Sequence, residues 1–180
     1  MGVFARAFRR AHLPVRMSQG FNPRPRFSLP APLSVGIEGL DEVLEIDLTQ
    51  EPPADELGRS LNEQMPDGIE ILGTERLEPP AKASVESVGY RATGDLPAGA
   101  VERCTAATEL RTTRSNGRTV DIRPYMKSLN RCDGGCEFEV LVTQTGSAKP
   151  SEIAAALCDG DVNLVRRLSI TRAAVNLQVS

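Results

Sequence analysis

Apolar positions in this chain follow two periods, one helical and one alternating, and their order sketches a fold. Phe4, Ala7, Phe8 and Ala11 recur at helical spacing through residues 3–12, with Arg6, Arg9 and Arg10 crowding the opposite side. That pattern predicts an amphipathic helix. Pro14 bars its continuation, because the residue before a proline is pushed toward extended geometry. Residues 18–26 contain Gly20, Pro23 and Pro25 and are expected as a stiff, non-helical loop. Phe27 to Ile37 reads as extended, confined to an edge by Pro30 and Pro32. Val43 to Leu48 alternates, with Leu44, Ile46 and Leu48 on one face and Glu45 and Asp47 on the other, as a half-buried strand does. Pro53 and Asp55 open a helix through about Gln64, with Leu57 and Leu61 on its apolar face, and Ile69 to Leu72 follows as a short strand.

The segment Glu78-Pro79-Pro80-Ala81-Lys82 is the best linker. Beyond it, Ser87 to Thr93 suggests a strand and Ala98 to Ala107 a helix. Asn116-Gly117 marks a hairpin between Leu110–Thr113 and Thr119–Ile122. Pro124 to Leu129 reads as a single helical turn, Phe138 to Val142 as a strand, and Pro150 or Ser151 to Leu157 as a helix. Leu164 to Leu177 closes the chain as strand or mixed structure. The expectation is an α+β protein of two ferredoxin-like (split βαβ) halves, 1–78 and 87–180, joined by a linker at 79–86. In the first half the order helix, strand, strand, helix, strand lacks an opening strand, which would leave a sheet edge to be filled.

Charge sharpens this picture. The first 37 residues hold six arginines (Arg6, Arg9, Arg10, Arg16, Arg24 and Arg26) and no Asp or Glu, whereas residues 38–86 hold fourteen acids against three bases. A protein of net charge −3 thus has a cationic leading edge, suited to phosphate, nucleic acid or an acidic partner. The alternative is a self-contained fold whose arginines neutralise its own acidic strands. Five Phe, two Tyr and no Trp match poorly with binders that stack bases on several exposed rings. No apolar run approaches the ~18 residues of a membrane span, so no membrane partner is expected and the location is read as cytoplasmic.

Candidate chemistry is sparse. The chain has no glycine-rich dinucleotide fingerprint, phosphate loop, G-x-S-x-G elbow or H-E-x-x-H motif. His12 is the only histidine, and it follows an Arg-rich helix whose C-terminal dipole it suits. Cys132-Asp-Gly-Gly-Cys136 is the one close cysteine pair, two ligands short of a zinc site, so no metal is expected. Asp121, bracketed by Val120 and Ile122 and followed by Arg123-Pro124-Tyr125, is the candidate catalytic residue, with a strand-end clamp as its structural alternative. The candidate binding set is Arg6, Arg9, Arg10, Ser18, Gln19, Asn22, Arg24 and Arg26, with Arg123 and Tyr125 as a second patch. Arg24 and Arg26, two apart in an extended segment, would point the same way as a phosphate clamp. Phe21 is the one aromatic placed to cover a ring, although burial in the protein's own core is the expectation for it.

Arg9-Arg10-Ala-His-Leu-Pro14, Ser18-Gln-Gly-Phe-Asn-Pro-Arg-Pro-Arg26 and Leu29-Pro-Ala-Pro-Leu-Ser-Val-Gly36 together resemble the radical SAM-linked protein family, a domain of unknown function. The likeness continues through Leu44–Leu48, the Asn62–Pro66–Gly68 stretch and Asp121–Tyr125. It implies a fusion partner or gene neighbour of a radical SAM protein, and an accessory role in RNA or ribosome-related modification. The iron–sulfur cluster, S-adenosylmethionine and cobalamin of such a system are expected on the partner, because this chain has no cluster-binding cysteine motif. The family carries a strand and a Ser-His segment before its first helix, and Met1-Gly2 fall inside that region, so the opening strand is expected to be missing. The leading functional expectation is a non-catalytic, substrate-presenting partner of a radical SAM enzyme. The alternatives are a stand-alone RNA-binding module and an enzyme with Asp121 in its site.

Overall fold

The first apolar stripe forms the helix it predicts: α1 spans Gly2–Arg10 in a computed structural model that describes residues 2–77 and 83–179. The chain is α+β. After α1 come β1 (Phe27–Ser28), β2 (Glu38–Gly39), β3 (Glu45–Ile46), α2 (Ala54–Asn62), β4 (Ala83–Thr93), α3 (Ala100–Ala106), β5 (Arg111–Thr113) and β6 (Thr119–Asp121). A 3₁₀ turn at Arg123–Tyr125 leads into β7 (Met126–Cys132), β8 (Gly135–Leu141), α4 (Pro150–Leu157), α5 (Val162–Val165) and β9 (Ser169–Val179). Two compact units result, and they are interleaved in sequence: Met1–Pro30 with Leu44–Lys82, and Ala31–Val43 with Ala83–Ser180.

In the first unit α1 buries Ala7 and Phe8, and α2 buries Leu61. The ring of Phe27 on β1 meets Phe8 edge-on at 5.3 Å and Phe4 at 6.2 Å, so one strand residue ties the helix to the sheet. β1 pairs antiparallel with β3, Phe27 opposite Ile46. Isolated bridges at Val15–Leu48 and Met17–Pro25 extend this ladder. Ile46, Leu44, Leu57 and Met65 complete the cluster, as the alternation and the helical spacing require. The extended segments expected at Phe27–Ile37 and Val43–Leu48 contract to two residues each of regular strand. No strand forms at Ile69–Leu72. The Asn62 amide donates to Ile71 O at 3.0 Å and accepts from Ile71 N at 2.6 Å, so a side chain does the work of a ladder partner.

In the second unit a five-stranded sheet has the order β2-β9-β4-β8-β7. β4 lies antiparallel to both β8 and β9, and β7 antiparallel to β8. Val88, Tyr90 and Ala92 of β4, with Phe138 and Val140 of β8, form one apolar face, packed with Val101, Cys104, Ile153 and Leu157 of α3 and α4. The Asn116-Gly117 hairpin joins β5 to β6, with Gly117 at φ 78°, a value glycine tolerates without strain. β7 corrects the expectation of a helical turn through Leu129: the 3₁₀ turn ends at Tyr125, and the segment after it pairs with β8 as a strand, with Met126 and Leu129 buried on either side of a register shift. Cys132 ends β7, Asp133-Gly134 make the turn, and Cys136 lies in β8. A side chain at Gly135, the first residue of β8, would collide with the carbonyl of Ala92, so this glycine is fixed by close strand approach.

The domain boundaries also change. Residues 31–43, expected in the first half, pack with the second unit because Glu38–Gly39 run parallel to Thr171–Arg172 of β9. Ala83–Glu86, expected in the linker, are the first residues of β4, while 79–82 lie outside the described residues.

Candidate functional site

The backbone from Val15 to Met17 runs out along the small sheet of the first unit and turns back at Pro25. Three bonds close the base of the excursion. Arg26 N donates to Arg16 O at 2.7 Å, Ser18 N to Arg24 O at 2.8 Å, and Arg24 N to Ser18 Oγ at 3.0 Å. Ser18, expected as a binding donor, therefore holds the loop shut with both its amide and its hydroxyl. Gly20 sits at φ 124°, where a side chain would be strained although the space is open. Pro23 stiffens the return.

What this closed loop displays is the central observation. Phe21 is fully exposed, at 105% of its reference area, which corrects the expectation that it is buried. Gln19, Asn22, Pro23 and Arg24 are exposed around it. Among the described residues the side chains of Gln19, Asn22 and Arg24 have no hydrogen-bond or ion-pair partner.

The six arginines divide into two sets. Asp47 accepts from Arg16 Nε at 3.0 Å through one oxygen and pairs with an Arg26 guanidinium nitrogen at 3.4 Å through the other. The backbone repeats the link, Arg16 N to Asp47 O at 2.7 Å and Asp47 N to Arg26 O at 3.0 Å. Arg26 is thus turned to an internal acid, and the two-arginine clamp expected of Arg24 and Arg26 does not form. These pairs are solvent-exposed and worth only about 0–1 kcal/mol each. Arg6, Arg9, Arg10 and Arg24 are exposed, with no carboxylate partner among the described residues. His12 is exposed too, at φ 51° just past α1.

Residues of the second unit singled out in the sequence serve its own backbone. Asp121 Oδ1 accepts from Leu110 N at 2.8 Å and Arg123 N at 3.0 Å, a clamp at the end of β6. The Arg123 guanidinium donates to Ala107 O at 2.9 Å and to Thr105 O at 3.3 Å, so it caps α3 where the helix dipole favours a cation. Tyr125 OH reaches Thr145 O at 3.5 Å. The second candidate patch is therefore engaged internally.

Sequence reading missed the principal polar groups of this unit. Arg172, 2% exposed on β9, forms a two-pronged pair with Glu42 and donates to Ala31 O at 2.6 Å, fastening residues 31–43 to the sheet. Arg114 holds Glu152 at 2.8 and 3.1 Å, and Lys149 N adds a third bond at 2.9 Å. Burial pushes the Glu152 carboxyl up, but these donors outweigh it and hold it below the usual carboxylate range. Glu139 is held low chiefly by the Ser87 hydroxyl, at 2.5 Å, helped by Lys127. Cys104, Cys136 and Cys158 are buried, and burial raises the Cys136 thiol to about 11. Among the described residues no three His, Cys, Asp or Glu side chains converge to hold an ion. Among the described residues, no helix is long and apolar enough to cross a membrane.

A shallow cleft of about 210 Å³ opens at the start of α4, between Val35–Ile37, Lys149–Ser151, Leu168 and Ile170. No polar side chain is buried in it without a partner.

Loop 18–24, with its closed base, bare ring and unpaired guanidinium, is thus the best-formed candidate interface among the described residues. A comparison with curated proteins finds no match. The family comparison does: across residues 1–151, which include this loop and the Asp121 clamp, the chain belongs to the family described as an uncharacterized protein conserved in bacteria (DUF2344).

Proposed function

We propose that this protein is a non-catalytic accessory, a substrate-presenting partner of a radical SAM enzyme in RNA or ribosome-related modification. One observation carries the reading: a loop closed at its base holds Phe21 and Arg24 out with no partner of their own among the described residues. An exposed Phe forgoes the ~1.5–3 kcal/mol that burial of such a side chain brings. A surface that keeps a bare ring beside a free guanidinium is suited to recognition, where aromatic and Arg side chains dominate binding energy. The resemblance of Ser18–Arg26 to radical SAM-linked proteins supplies the partner class. On this reading the cluster, S-adenosylmethionine and cobalamin reside on the partner, and the complex is cytoplasmic.

The finer architecture belongs to the same reading. We take the two units as ferredoxin-like. The order β9-β4-β8-β7, with α3 and α4 following the first and third strands in sequence, supports this for the second unit. For the first unit the support is the helix–strand–strand–helix succession alone. The reading with Asp121 as a catalytic acid has less behind it, since its Oδ1 already binds two amides.

The test is co-purification. Full-length protein is expected to capture its cognate radical SAM enzyme, and the Phe21→Ala/Arg24→Ala double variant to lose that capture while remaining folded. Undiminished capture of enzyme and substrate by the double variant defeats the proposal.

A further inference from the structure

We infer that loop 18–24 holds an unpaired nucleotide of a single nucleic-acid strand, with its base on the ring of Phe21 and its phosphate on Arg24. The inference rests on the substrate-presenting reading and names the chemistry of what is presented.

Consider what the ring lacks. Its loop neighbours are Gln19, Gly20, Asn22, Pro23 and Arg24, mostly polar, and Met17 at the loop base is the nearest exposed large apolar residue in sequence. A protein partner meeting this ring would have to bring the surrounding contacts that exclude water, because the loop frames it with amides and a guanidinium. A nucleobase needs less. Any base has a flat face that stacks on an exposed aromatic, for about 1–3 kcal/mol, whatever its identity. Gln19 and Asn22 carry free amide donors and acceptors for a base edge, and Arg24 a forked donor for phosphate.

Charge and stiffness agree with this. Arg6, Arg9 and Arg10 of α1 have no internal acid among the described residues, and the first 37 residues carry none at all. The unit that carries the loop therefore also carries exposed cations with no internal acid among the described residues to neutralise them. The paired Ser18–Arg24 bonds and Pro23 hold the loop before anything binds, which lowers the ordering cost of association. A duplex fits poorly, because its bases are already stacked on one another and an A-form major groove is too narrow to read.

Fluorescence anisotropy on the full chain tests the assignment, with labelled oligo(U), oligo(dU) and an RNA duplex of equal length as probes. Oligo(U) is expected to bind well above the duplex. Phe21→Ala is expected to weaken it about tenfold, and Phe21→Trp to restore it. Arg24→Ala is expected to lower the salt slope by about 0.7, one phosphate contact on a single strand. Oligo(U) bound above oligo(dU) assigns RNA through its 2′-hydroxyl, and equal binding assigns any single strand; both sustain the inference. Duplex binding equal to oligo(U), no binding of either single strand, or no change in Phe21→Ala overturns it. Parallel capture of the radical SAM enzyme separates the two readings. Capture without oligonucleotide binding leaves the accessory role and removes this inference, whereas Phe21-dependent binding without capture does the reverse.

Discussion

The two units differ in how far the fold engages their arginines, although Arg76 of the first pairs with Glu51 and Arg118, Arg166 and Arg167 of the second are exposed with no carboxylate partner among the described residues. In the second unit Arg91, Arg103, Arg111, Arg114, Arg131 and Arg172 each pair with a carboxylate of the same unit, and Arg123 caps a helix. In the first, Asp47 takes Arg16 and Arg26, while Arg6, Arg9, Arg10 and Arg24 have no such partner among the described residues. Residue type is therefore no guide to role. An arginine buried among backbone carbonyls and an acid fastens the fold, and one left in water beside a bare aromatic is available to something else.

The contrast can be broken most forcefully at Arg172. Arg172→Ala takes the donor from two carbonyls and from Glu42, whose carboxylate still reaches water, so urea denaturation should show a loss of about 2–4 kcal/mol. Residues 31–43 should at the same time become open to limited proteolysis. Replacing the pair together, as Arg172→Met with Glu42→Leu, should recover only the part of that loss due to the carboxylate, because the two carbonyls still lack their donor. A single variant as stable as the wild type would mean that the strap is held by its β2–β9 pairing instead.

Glu152→Gln should cost less, about 1–3 kcal/mol at neutral pH, since one amide oxygen must replace the two carboxylate oxygens that accept from Arg114 and Lys149. Its pH dependence sharpens the point. The folded carboxyl titrates below its unfolded value, so its contribution is full above the ordinary carboxylate range and is lost as pH falls through the lower folded value. Denaturation curves of variant and wild type should therefore converge in acid. A constant gap at all pH values would assign the effect to packing.

The smallest effect is expected at the loop. Phe21→Ala/Arg24→Ala should change stability by no more than about 0.5 kcal/mol, because neither side chain touches its own fold. A clear drop in thermal midpoint would show that the loop supports the first unit, and would collapse the contrast between the two sets of arginines.

Several elements were legible because short-range chemistry fixes them. Phe4, Ala7 and Phe8 mark one helix face, Asn116-Gly117 a hairpin, and Pro150 the first turn of α4. The closed, non-helical loop followed from Gly20, Pro23 and Pro25. Other features had no local signature. Pro124 suggested a helical turn, yet β7 begins two residues later, because β8 offers a ladder that no nearby residue announces. The stretch at Ile69–Leu72 lacks a strand, and the amide of Asn62 satisfies the backbone of Ile71 instead.

The sequence by itself determined the helix faces, the turns, the cationic surplus of the first 37 residues and the stiffness of the segment that displays it. Periodicity and charge are properties of neighbours along the chain, so they survive without a fold. Tertiary structure alone decided which arginines that surplus leaves free and that Phe21 faces water. It also decided that Glu42 and Arg172, 130 residues apart, form one ion pair in which the arginine is buried. Such pairings depend on which surfaces the packed units bring together, and separation along the chain carries no record of that.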